Sequence, residues 1–367
     1  MKILNVVGAR PNFMKIAPIQ REMRKYPALT PLLVHTGQHY DEKMSKLFFQ
    51  DLDLPEPDVY LGVGSGTHTE QTARIMLAFE KVIEEHQPDL VLVVGDVNST
   101  AACSLVAAKM QVKIAHVEAG LRSFDRTMPE EINRMITDIL SDFLFVTEQS
   151  GLDNLRREGI ADQKVFFTGN VMIDSLVHFL EKAAESSILS DLDINSDPYT
   201  LVTLHRPSNV DVKENLAGLI QVFETISRQG KIVFPMHPRT KKMMQSYGLS
   251  DRAAAIGNLI ITDPIGYLDF MQLMQHARLV LTDSGGIQEE TTYLQIPCLT
   301  VRENTERPVT ITAGTNQLLG TDTQKITEAA EKIFAGQCKK GTIPELWDGH
   351  AAERIVKILT EKTLQVI

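Results

Sequence analysis

Short, almost unbroken apolar runs alternate along this chain with longer stretches in which apolar residues recur every three or four positions. The runs "KILNVVG", "PLLVHTG", "DVYLG", "DLVLVVGD", "VKIAHVEAG", "DFLFVTE" and "KVFFTGN" predict strands. Their near-continuous hydrophobicity is that of parallel strands covered on both faces, where neither side of the pleat meets water. Between them, "TEQTARIMLAFEKVIEEHQ" and "NSTAACSLVAAKMQ" carry helical periodicity. Strand–helix alternation of this kind predicts a doubly wound α/β sheet.

After the helical "IDSLVHFLEKAAESS", the stretch "ILSDLDINSDP" is polar and rich in turn formers, and reads as a linker. The alternation then restarts with "YTLVTLHR", "KIVFPMH", "NLIITD", "RLVLTDSGG" and "PCLTVR". The expectation is two Rossmann-like, doubly wound domains with a cleft between them: 1–187 and 188–349. A terminal helix at about 350–367 can pack on either, including back on the first. A length of 367 residues suits two domains.

Composition acts mainly by exclusion. The net charge is −10 with no basic block, which argues against a nucleic-acid surface. No run reaches the ~18 apolar residues of a membrane span, and the start breaks at Gly8, too early for a signal-peptide core. Cys103, Cys298 and Cys338 form no CxxC pair, consistent with free thiols in a cytoplasmic protein. There is no HExxH, and the "TG" between His35 and His39 argues against one helix face, so no metal site is expected. "GVGSG" at 62–66 lacks the dinucleotide spacing and no GxxxxGK[ST] occurs, which leaves nicotinamide and Walker-type sites without support.

The informative polar residues fall at strand ends: Arg10, Asp96, Glu118, His205, His237 and the 283–286 turn. In open parallel sheets ligands bind beyond those ends. "LVLTDSGGIQEE" is the clearest ligand signal. Ser284, Gly285 and Gly286 open a helix whose N–H groups and dipole favour phosphate, and Glu290 one turn on could accept from a ribose hydroxyl pair. A plain strand–helix turn has the same residues. Arg10 and Lys15 of "GARPNFMK" suit a diphosphate, although a basic pair in a first loop is as often surface. Asp96 follows four apolar residues, and can equally cap the next helix. In "HVEAGLRSFDRTMPEEINR", Glu118 ends a strand, Pro129 begins a helix, and Arg134 stands four residues after Glu130, so those two are expected to pair. Glu131 reads as an ordinary first-turn acid.

The motifs "GARPNFMK", "GQHYDEKM", "GDVNST", "HVEAGLRSFDRTMPEEINR", "TGNVMIDS", "TLHRPSN", "PMHPRT", "LTDSGGIQEE" and "RENTERP" occur in that order. Together they resemble the non-hydrolysing UDP-N-acetylglucosamine 2-epimerase family, over nearly the whole chain. The resemblance implies a GT-B-like arrangement of two Rossmann domains with the active site in the cleft, and a cytoplasmic homodimer. It implies interconversion of UDP-GlcNAc and UDP-ManNAc with neither cofactor nor metal. Carried over by motif, Asp96, Glu118, Glu130 and His205 match its catalytic set. Arg10, Lys15, Phe270, Ser284, Gly285, Gly286 and Glu290 match its UDP ligands, with Arg307 near the phosphates or sugar, and Arg134, beside the acids, is a further substrate-binding candidate. Ile265 matches a position whose backbone holds the uracil.

This chain departs from the family pattern at several points. The common opening "GTRPE" is "GARPN" here, with Ala9 and Asn12. A similar opening occurs in relatives acting on UDP-2,3-diacetamido-glucuronic acid, so both sugars stay open. "HRRE" is "HRPS", with Pro207, and an Arg found in many members near the position of Ser65 is missing. Gln38 and His237 remain from the second, regulatory nucleotide-sugar site. "ERPE" is "ERPV", with Val309. A GT-B glycosyltransferase shares the fold and the UDP turn and is the remaining alternative.

Overall fold

The computed structural model describes residues 1–38, 53–195 and 197–364; His39 and most of "GQHYDEKM" lie outside them. The chain divides into two compact units, Met1–His178 with Glu345–Ile367, and Phe179–Pro344. The division falls inside helix Val171–Ala183, and the polar stretch 188–198 begins with the short helix Ile188–Asp191 in the second unit.

Among its described residues the first unit has a seven-stranded sheet. Its strands are β1 (Lys2–Val7), β2 (Thr30–His35), β3 (Val59–Tyr60), β4 (Leu90–Val94), β5 (Lys113–Ala119), β6 (Phe143–Val146) and β7 (Val165–Phe167). They run parallel in the order β3-β2-β1-β4-β5-β6-β7. Every residue of β4 is buried, as its unbroken "LVLVV" requires. Leu4, Val6, Val34, Phe79 and Val93 anchor the apolar core, each worth about 1.5–3 kcal/mol of burial.

The second unit repeats the plan with β8 (Tyr199–Thr203), β9 (Lys231–Pro235), β10 (Leu259–Thr262), β11 (Leu279–Thr282), β12 (Cys298–Thr300) and β13 (Asn316–Leu318). The order is β10-β9-β8-β11-β12-β13, again parallel. Its core is built on Val202, Phe223, Phe234, Leu281 and Leu299. The order reverses between β1 and β4 in one sheet and between β8 and β11 in the other, the two places where such sheets open to ligands.

The chain returns to the first unit through Trp347, whose indole N–H donates to Thr147 O at 2.9 Å. Helix Ala351–Leu364 then packs against helix Arg10–Met23. Its first turn is capped by Asp174, which accepts from Ala351 N (3.1 Å) and Ala352 N (2.7 Å). Burial pushes that carboxyl up to about 6 against the pull of those donors.

Candidate active site

At the carboxyl ends of β1, β4 and β5 the first unit gathers Lys15, Asp96, Glu118 and Arg134. Gly95 follows β4 with φ +67°. A Cβ there would come within 3.0 Å of Lys15 Nζ, 3.4 Å of Glu118 Oε2 and 3.5 Å of Asn12 Nδ2, so these three side chains surround the turn. Lys15 and Glu118 form an ion pair that is almost wholly buried, with 6% and 3% of their side chains exposed. Asn12 accepts from Gly8 N and Ala9 N, both at 3.0 Å, and donates to Val94 O at 3.0 Å. A glutamate at that position could not donate to the Val94 carbonyl, so Asn12 ties the first helix to the end of β4 in a way the commoner residue does not.

Glu118 has φ +74°, and the pairing of β5 with β6 shifts register between Val117 and Ala119. A non-glycine residue in this region costs about 1–3 kcal/mol, and such strain gathers at functional positions. The bulge re-aims Glu118 out of the strict alternation of the strand.

Arg134 does not pair with Glu130. Its guanidinium bridges Glu131, at 2.7 Å, and Asp96. Glu131 is buried rather than a solvated first-turn acid, and accepts from Ser123 N (2.9 Å), Ser123 Oγ (3.0 Å) and Phe124 N (2.9 Å). Burial alone would raise its carboxyl, but the Ser123 and Arg134 donors outweigh it and hold it below the usual range. The i+3 partner wins over the i+4 one because Glu131 faces the loop 123–124 whose N–H groups need an acceptor. Glu130, half-buried, sits one residue earlier at the start of helix Pro129–Leu140. Arg10 opens helix Arg10–Met23.

In the second unit, His205 Nδ1 lies 2.8 Å from Asp283 Oδ1. Asp283 is fully buried and also accepts from His205 N (3.0 Å), Arg206 N (2.9 Å) and Asn209 Nδ2 (3.1 Å). Burial pushes this carboxyl up, while His205 and the backbone donors bring it below its ordinary value. A charged acceptor at Nδ1 makes that nitrogen the donor and leaves Nε2 for a ligand.

Ser284 stands at the N-cap position of helix Gly285–Leu294 without a side-chain capping bond, and its own N–H donates to Thr282 Oγ1 at 3.0 Å. A Cβ on Gly285 would fall 2.8 Å from Arg307 Nη1 and 2.9 Å from Glu306 Oε1, so the Arg307 guanidinium lies directly against this turn. Arg307 is held by Glu289 (2.8 Å) and Glu306 (2.5 Å), and Glu306 also meets Arg302 at 2.7 Å. Glu290 is buried and accepts from the Tyr267 hydroxyl at 3.0 Å. Burial is the main force on it; Tyr267 opposes and Glu289 adds to it, and its carboxyl stands at about 8. Phe270 and Ile265 are half-buried against the cluster formed by Tyr199, Leu273 and Ile287.

Of the residues expected for a second nucleotide-sugar site, Gln38 belongs to the first unit and His237 to the second. The Gln38 side-chain carbonyl is buried and accepts from Ser99 N (3.0 Å) and Ser99 Oγ (2.7 Å). His237 is exposed, caps helix Pro238–Ser246, and its ring centroid lies 5.8 Å from that of His205.

Several contributors escaped sequence reasoning: Asn12, Glu131, His116, Asp138, Tyr267, Glu289 and Glu306. For His116 a signal existed, since a histidine inside the apolar run "VKIAHVEAG" has no water to face.

Two parallel sheets of Rossmann order, one ending in paired acids and cations and the other in a Ser-Gly-Gly helix start, define a two-domain α/β protein of the GT-B type. A family model described as UDP-N-acetylglucosamine 2-epimerase matches residues 21–360. The chain is 44% identical over 366 residues to the UDP-N-acetylglucosamine 2-epimerase of Methanocaldococcus jannaschii, covering 98% of this chain and 99% of that one. It is 39% identical over 364 residues to the UDP-2,3-diacetamido-2,3-dideoxy-D-glucuronate 2-epimerase of Pseudomonas aeruginosa, covering 98% and 100%. The crystal structure of the M. jannaschii enzyme in complex with UDP-GlcNAc and UDP matches with a TM-score of 0.91 at 43% identity, over 98% of this chain and 100% of that one. The chain belongs to the UDP-N-acetylglucosamine 2-epimerase family, a family of isomerases.

Proposed function

We propose that this chain interconverts UDP-GlcNAc and UDP-ManNAc by eliminating and re-adding UDP, and so supplies precursors of surface polysaccharide. The observation that carries the reading is the buried Lys15–Glu118 pair beside an Asp96 held by Arg134. Two acids on neighbouring strands, each with its own cation, are what proton removal and return on opposite faces of one carbon demand.

C2 of the sugar has no adjacent carbonyl, so simple deprotonation would leave an unstabilised carbanion. In the proposed step a carboxylate takes the C2 proton while the C1–O bond breaks. The C2–H electron pair becomes the C1=C2 bond of a 2-acetamidoglucal, and the C1–O pair leaves on the diphosphate. Arg10, Lys15, His205 and the Ser284–Gly285–Gly286 helix start stabilise that charge. The diphosphate oxygen then attacks C1 and a proton is delivered to the other face of C2. Since the pair leaves with UDP and returns with it, no redox cofactor enters the balance. Asp96, Glu118 and Glu130 are the acid–base groups, and Glu290, Phe270 and the Ile265 backbone hold the nucleoside, with Arg307 at the phosphates. The protein acts as a cytoplasmic homodimer in this reading.

The similarity to the P. aeruginosa enzyme supports a second reading, with the diacetamido-uronic acid nucleotide as substrate. Separate incubations with the two nucleotide sugars, followed by NMR of the products, decide between them. A new N-acetylmannosamine anomeric signal from UDP-GlcNAc supports the first; turnover of the uronic acid nucleotide alone supports the second.

A further inference from the structure

His116 sits in the middle of β5 with no exposed surface. Its Nδ1 lies 2.7 Å from Asp138 Oδ1 and its Nε2 lies 2.9 Å from the Gly95 carbonyl. A carbonyl oxygen can only accept, so Nε2 must carry a hydrogen. Asp138 is buried in helix Pro129–Leu140, where its other oxygen accepts Gly120 N at 3.0 Å and meets Arg122 Nη2 at 2.7 Å. With those donors it is a carboxylate, and Nδ1 must carry a hydrogen as well. Arg122 in turn forks onto Glu158, Nε–Oε1 at 2.8 Å and Nη2–Oε2 at 2.6 Å. Two cations and two anions therefore alternate, and the group balances its charge.

We infer that His116 is a buried imidazolium which, with Asp138, positions the acid–base groups of the reaction without touching substrate. The inference rests on the reading that Asp96 and Glu118 take part. Its geometry brackets both. His116 lies two residues before Glu118 and Gly120 two residues after it, and Asp138 binds both flanks of that left-handed residue. Through Nε2, the same ring holds the carbonyl of Gly95, the residue before Asp96. The Gly95 N–H closes the unit by donating to Val117 O at 3.0 Å. A neutral histidine could satisfy only one of its two acceptors, and the β4 and β5 ends would lose their common clamp. The charged group on this ring is Asp138, whose other oxygen carries Arg122.

The test uses full-length protein with 15N-labelled histidine imidazoles, near neutral pH. Two ring N–H correlations that vanish in His116→Gln are expected; a single N–H, the neutral ring, overturns the inference with no variant needed. Asp138→Asn is the second arm. UDP affinity should stay within about twofold and kcat should fall by at least about tenfold with little change in KM. A folded Asp138→Asn protein with near wild-type kcat also overturns it. If the wild type shows two ring N–H signals but no turnover of either nucleotide sugar, the functional reading fails and the imidazolium stands. Turnover with a neutral His116 fails this inference alone.

Discussion

The Lys15 ammonium, on the helix after β1, and the Glu118 carboxylate, at the end of β5, form an ion pair that water hardly reaches. These residues are 103 apart in the chain, and the parallel order β1-β4-β5 is what brings them together. A pair this buried is stable only as a pair. Removing one partner leaves a naked charge in a medium that solvates it poorly.

Lys15→Met should therefore destabilise the first unit by about 3–5 kcal/mol, the range for breaking a buried pair. Lys15→Met with Glu118→Gln should recover part of that loss. Chemical denaturation of the two single variants and the double variant gives the coupling directly. Additive losses would mean that the two side chains do not feel each other.

Glu130 and Glu131 are neighbours in different surroundings, one half-buried and one buried, and substitution should separate them. Glu131→Gln removes the charge that faces Arg134 and turns one of the two oxygens accepting from Ser123 N and Phe124 N into an amide donor, so about 3 kcal/mol of stability should go. Glu130→Gln should leave the melting curve within about 0.5 kcal/mol of wild type, yet lower kcat. Thermal unfolding alongside a rate assay reads both. Equal stability losses would erase the distinction.

Gly285 carries a packing constraint. Its Cβ in Gly285→Ala would press on Arg307 and Glu306, and two carboxylates keep Arg307 from swinging away. UDP affinity by calorimetry should drop about tenfold, with the fold retained. Unchanged affinity would take Arg307 and this turn out of the diphosphate grip.

Glu290 makes stability depend on pH with a definite sign. Its carboxyl stands at about 8 in the folded chain, above the unfolded value of 4.5. The folded protein thus holds the proton more tightly. That stabilisation is complete below the unfolded value and is lost as pH rises through about 8, amounting to at most ~5 kcal/mol. Melting temperatures of ligand-free wild type should fall between about pH 5 and pH 9 more steeply than those of Glu290→Gln. Parallel curves would remove Glu290 as the source.

Most of the fold was legible because fully buried parallel strands write themselves as apolar runs. β13 was not legible. "NQL" is three residues long with two amides, and it becomes a strand only because β12 offers it an edge. Site residues at strand ends were legible from position and motif. Their pairings were not: Arg134 has carboxylates at several helical spacings, and only the loop at Ser123 decides for Glu131. Buried polar groups such as Asp138 and Tyr267 depend on partners far along the chain, which no local pattern announces.

The most direct measurement of the account is proton NMR at C2 during incubation with UDP-GlcNAc in D2O. Elimination and re-addition through acid–base groups predict deuterium at C2 of both UDP-GlcNAc and newly formed UDP-ManNAc. Glu118→Gln should show neither while still binding UDP. UDP-ManNAc appearing with its C2 proton retained would contradict proton transfer through these carboxylates.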